Sequence, residues 1–104
     1  MATFVLTYRR PKNYTVGTAD GMSAWNTFFE GMGDSLVDLG KPVSESVSVG
    51  DCGKDLRDLG GFSLVTADDL QGAIALAEKC PFIGHGGGVE IGQLADLPGA
   101  AETA

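Results

Sequence analysis

The spacing of hydrophobic and polar positions changes repeatedly along the chain, and each change marks an element. Residues 3–8 alternate, with Phe4, Leu6 and Tyr8 on one side and Thr3, Val5 and Thr7 on the other, which predicts a strand with one more apolar face. Arg9, Arg10 and Pro11 end it, since proline cannot donate to a ladder and the two charges favour water. From Trp25 the period lengthens: Phe28, Phe29, Met32, Leu36, Val37 and Leu39 recur at steps of three and four, predicting an amphipathic helix capped by Asp20 or Ser23 and ending near Gly40. Gly31 and Gly33 inside that helix imply close packing against a neighbour. Period two returns over Pro42–Val49, where Val43, Glu45, Val47 and Val49 alternate with Ser44, Ser46 and Ser48. The turn-rich run Gly50–Asp55 and the strand pattern Gly60–Thr66 then make the middle of the chain a long hairpin. Thr66–Asp69 caps a second helix carrying Leu70, Ala73, Ile74, Leu76 and Ala77, stopped by Cys80-Pro81. A glycine-rich loop through His85 leads into a last strand, Val89–Leu94.

The predicted order is β-α-β-β-α-β. This is the ferredoxin-like split βαβ arrangement of the α+β class, a four-stranded antiparallel sheet with both helices on one face. The other face is left bare, and a small sheet with an uncovered apolar face is completed by a second copy, so a homodimer is expected. Residues 1–94 form the single domain, and residues 95–104, rich in Ala, read as a frayed tail.

Composition narrows the function classes. The chain of 104 residues is 43% hydrophobic and 20% charged, within the range of chains that fold around one core. Fourteen acidic residues against seven Lys and Arg give a formal charge of -7, which repels nucleic acid and anionic bilayers alike. No apolar run approaches the roughly 20 residues of a membrane helix, and the start lacks the basic and apolar regions of a signal peptide, so a soluble cytoplasmic protein is expected. Cys52 and Cys80 lie far apart with no CxxC pair and no histidine cluster, so neither a structural metal nor a cofactor is expected, and both thiols read as reduced.

The segments Gly60-Gly61-Phe62-Ser63-Leu64, Asp68-Asp69-Leu70-Gln71-Gly72-Ala73, Cys80-Pro81 and Gly86-Gly87-Gly88-Val89-Glu90-Ile91 resemble the second half of YCII-related proteins, near their DGPF-type branch. The resemblance spans about residues 3–94, with its specific part at 60–92. It implies a dimeric α/β barrel. The His-Asp pair proposed as catalytic in some members has no counterpart at the first helix, because His85 is the only histidine, and Gly50-Asp51-Cys52-Gly53 stands where the DGPF motif would be.

Candidate chemistry is sparse. His85 carries an imidazole, the side chain most often used for proton transfer, and sits in a loop before a strand, so it is a candidate acid or base with Glu90, Asp34 or Glu45 as partner, or else a surface or packing residue. Gly84–Gly88 is either an anion cradle or a tight approach to the last strand. Trp25 falls one turn before the main apolar stripe and is a candidate rim residue of a ligand pocket. Tyr8, Glu45 and Glu90 would line a barrel lumen if their strands present them inward, and a one-residue register slip would send them outward instead. Two function classes remain open: a small cofactor-independent enzyme acting on a small organic molecule by acid/base chemistry in the barrel, and a noncatalytic ligand-binding or accessory module.

Overall fold

The computed structural model describes residues 1–12, 14–15, 17–53 and 58–96. Its elements are β1 (Ala2–Arg9), α1 (Ala19–Met32), a 3-10 turn (Gly33–Ser35), β2 (Leu36–Asp38), β3 (Leu59–Ala67), α2 (Leu70–Ala77) and β4 (Gly88–Gln93). The four strands form one antiparallel sheet in the order β2-β3-β1-β4, giving an α+β fold with two helices.

The alternation read in β1 is realised: Phe4, Leu6 and Tyr8 are buried while Thr3, Val5 and Thr7 are only half-buried. Register carries this face across the sheet, with Phe4 opposite Val65, Leu6 opposite Ser63 and Ile91, and Tyr8 opposite Gly61 and Val89. Phe28 and Met32 of α1 and Ala73 and Ala77 of α2 join the same core, so both helices lie on this face. Phe4 and Leu6 are wholly buried, each contributing roughly 1.5–3 kcal/mol of transfer free energy. On the opposite face, Val5, Leu64 and the 40% exposed Phe62 have no helix over them among the described residues.

Two elements differ from the pattern reading. Helix α1 starts earlier, because Thr18, in extended geometry, caps it by accepting the Gly21 N–H at 3.1 Å; neither Asp20 nor Ser23 takes that role. It also stops earlier. Gly33 adopts φ 54 and donates its N–H to the Glu30 carbonyl, a positive-φ stop that glycine accommodates readily. Gly33 is therefore a cap, and a Cβ on Gly31 would meet open space, so neither glycine marks the close packing expected. Leu36, which continues the helical spacing, pairs instead with Val65 in the edge strand β2.

The expected strand at Pro42–Val49 does not form. A single bridge joins Pro42 to Gly61, and the Val43 N–H reaches the Gly60 carbonyl at 3.0 Å, after which the chain leaves the sheet with Val47 88% and Val49 85% exposed. Its alternating pattern has no second strand to pair with among the described residues, and alternation alone stabilises nothing. The turn expected at Gly50–Asp55 falls partly, and the tail at 95–104 mostly, outside the described residues. Helix α2 follows its reading, with Asp69 Oδ1 accepting the Gly72 N–H at 2.9 Å. No helix among the described residues is long and apolar enough to cross a membrane.

Candidate functional site

Strand β1 bulges against β3 where Arg9 pairs with Leu59 and Tyr8 with Gly61, leaving Gly60 as the extra residue. This irregular corner is built on glycine. A Cβ on Gly60 would fall 2.7 Å from Arg10 Cγ and 3.0 Å from Phe82 Cε2, and one on Gly61 would fall 3.0 Å from the Lys41 carbonyl oxygen. One on Gly40, at φ 70, would sit 1.8 Å from the Phe62 carbonyl oxygen. The missing side chains let the segment 39–43, Arg10 and Phe82 close over the end of the sheet.

Between these walls and α1 lies a cavity of about 480 Å³, of the size that holds small organic ligands. Trp25 stands at its centre of contacts. Its ring meets Tyr8 and Phe82 edge to face, each at 4.9 Å between centroids, and lies 5.5 and 5.6 Å from Phe28 and Phe29. Tyr14 stacks edge-on against Phe82 at 4.9 Å. Such T-shaped contacts are each worth roughly 0.5–1.5 kcal/mol beyond burial, so the aromatic layer is a fixed wall.

Tyr8 lines the cavity and is itself 3% exposed. Its hydroxyl has no hydrogen-bond partner among the described residues. Burial pushes its pKa up to about 12; the Ser63 hydroxyl is near enough to favour the phenolate in part, but it donates its own hydrogen bond to the Leu39 carbonyl oxygen at 2.7 Å. Tyr8 is thus a neutral phenol at physiological pH. Cys80 is likewise buried, and burial raises its thiol to about 11, which keeps it out of the nucleophilic thiolate form.

Of the residues singled out in the sequence, Tyr8 and Trp25 meet at this cavity. The other three lie elsewhere. Glu90 is on the opposite sheet face, where its Oε1 accepts from Arg9 Nε at 2.7 Å. Glu45 is exposed in the irregular stretch after Pro42. His85 is exposed in the loop before β4, and it does not line the cavity. That loop is occupied with itself: the backbone N–H groups of His85 and Gly87 both donate to the Phe82 carbonyl oxygen, at 3.3 and 3.2 Å, and a Cβ on Gly87 would lie 2.5 Å from the Arg9 carbonyl oxygen. Those amides are unavailable to an anion, and the glycines serve the turn and the approach to β1. Among the described residues there is no group of three or more His, Cys, Asp or Glu side chains placed to hold a metal ion.

Arg10, Lys41 and Phe82 belong to the cavity and carry no local signal for it. Arg10 reads as a strand terminator, and Phe82 as a loop residue. The Gly60-Gly61 pair was the available clue, since consecutive glycines entering a strand mark a bulge or a close backbone approach.

No protein-family model matches the sequence, and no curated protein or solved structure matches the chain.

Proposed function

We propose that this protein is a noncatalytic module that binds a small organic molecule in the cavity between α1 and the β1-β3 corner. The observation that carries this is the lining: an aromatic wall of Tyr8, Trp25, Phe29 and Phe82 with no His, Cys, Asp or Glu among the described residues around the cavity. A largely apolar, aromatic concavity with few polar groups is the common form of a ligand site. Proton-transfer chemistry needs a titrating group within hydrogen-bond reach of the reacting atom. His85 and Glu90, the residues most suited to that work, are placed away from the cavity.

The strand order β2-β3-β1-β4, with both helices on one face, supports reading the domain as ferredoxin-like. The kinship with YCII-related proteins rests on the residue resemblance alone, most specific over residues 60–92. The half-buried Val5 and Leu64 and the exposed Phe62 on the open face favour a second copy as their cover, making the working unit a homodimer. We place it in the cytoplasm, a reading that its two unpaired cysteines support.

A thermal-shift screen of small aromatic and aliphatic acids, amides and amines tests the binding function. A ligand at 100 times its Kd stabilises by about 2.7 kcal/mol, a rise of roughly ten degrees or more for a domain of this size. Compounds that raise the unfolding temperature are expected also to change the emission of Trp25, the sole tryptophan. A panel that moves neither, or that stabilises without touching Trp25, contradicts the proposal.

A further inference from the structure

Arg9 and Arg10 are adjacent in the chain and meet opposite fates. Arg9, on the open face of the sheet, is neutralised by Glu90 at 2.7 Å. Arg10 lines the cavity, and among the described residues it forms no ion pair. Lys41 lines the same cavity and is equally without an ion pair among the described residues. In a chain with twice as many acidic as basic residues, a cavity bordered by two cations and none of the described carboxylates runs against the composition. Charge of one sign left uncompensated beside an apolar concavity raises the local concentration of the opposite sign.

The backbones that carry the two cations are also held in place. The Arg10 backbone N–H donates to the Asp58 carbonyl oxygen at 2.8 Å, and its stem crosses Gly60 where any side chain would collide. The Lys41 backbone is fixed between Gly40, which sits against the Phe62 backbone, and the bridge from Pro42 to Gly61. Helix α1 brings its first turn to the same cavity through Gly21 and Met22, with Gly17 just before its cap, but Asp20 in that turn offsets its dipole, so the side-chain cations carry the preference.

We infer that the ligand of this cavity is an aromatic acid, a flat apolar ring carrying one anionic group, with the ring against Trp25 and Phe82 and the anion met by Arg10 and Lys41. The inference rests on the binding function proposed above and specifies its chemical class. A guanidinium suits a carboxylate through paired N–H donors, and Lys41 adds a point charge.

The test is a titration followed by Trp25 emission with three matched probes: 3-phenylpropanoate, 3-phenylpropanamide and 3-phenylpropylamine. The acid is expected to bind about tenfold tighter than the amide, the scale of one charge-assisted hydrogen bond, and the amine most weakly. Arg10→Gln and Lys41→Gln should each weaken the acid by about three- to tenfold and the amide by clearly less, and 1 M NaCl should narrow the gap between them. Lys41 is exposed, so Lys41→Gln keeps the test open even if Arg10→Gln impairs folding. Equal binding of acid and amide, or equal losses for both in the variants, overturns the anion assignment while sparing the binding function. If none of the three probes moves Trp25, the binding function falls with it.

Discussion

The two helices cover the same sheet face in different ways. At the α2 end, small residues bring backbone to backbone: Ala73 and Ala77 are buried, Ala67 pairs with Ala2, and a Cβ on Gly72 would already touch Ala67 Cβ at 3.2 Å. At the α1 end, Trp25, Phe28 and Phe29 interpose rings between helix and sheet, and these meet Tyr8 rather than β-strand backbone. Small residues close a gap completely, whereas rigid rings tile it with voids, since they cannot bend to fill an irregular corner. The cavity sits at the α1 end for that reason, where the sheet is also bulged and stripped of side chains at Gly60 and Gly61.

A pair of glycine substitutions would break or sharpen this contrast most forcefully. Gly40→Ala, at φ 70 and with its Cβ driven into the Phe62 backbone, is expected to cost about 3 kcal/mol or more and to open the cavity wall. Gly72→Ala at the α2 end gains helix propensity against one tight methyl contact, so its effect should stay within about 1 kcal/mol of zero. Urea denaturation of both variants measures the difference; comparable losses would mean that the two ends are packed alike.

A smaller effect probes the unpartnered phenol. Tyr8→Phe removes a buried hydroxyl that makes no hydrogen bond among the described residues, so stability should hold or rise by up to about 1 kcal/mol. The same variant tests the alkaline limb. Below pH 10 the phenol is protonated folded and unfolded, so its burial contributes no pH dependence there. Between pH 10 and about 12 the unfolded chain releases that proton while the native state retains it, and stability falls as pH rises. The Cys80 thiol imposes the same sign from pH 9 to about 11. The wild-type urea midpoint should therefore fall from pH 9 to 12, with losses on the order of 2–3 kcal/mol per group, and Tyr8→Phe should lose the phenol's share between pH 10 and 12.

How far the sequence could be read follows from where each signal resides. β1, β3, α2 and β4 were legible because their periodicity and caps are local, down to the faces of Phe4, Leu6 and Tyr8. The segment from Gly33 to Val49 was not. There Leu36, Val37 and Leu39 prolong a helical spacing that one positive-φ glycine terminates, and the Val–Ser alternation of 43–49 meets no partner beyond the Pro42 bridge. The site divides the same way. Tyr8 and Trp25 announced themselves as aromatics at the edge of a pattern, while Arg10, Lys41 and Phe82 reach the cavity through a bulge and a bridge that only tertiary structure creates.

The most direct measurement is a backbone and indole NMR titration of the protein with 3-phenylpropanoate. Binding at the aromatic end should shift the single Trp25 indole N–H together with the Gly60 and Gly61 amides, and leave Gly72, Ala73 and His85 in place. Shifts centred on His85 or on the α2 end, with Trp25 unmoved, would contradict a ligand site between α1 and the β1-β3 corner.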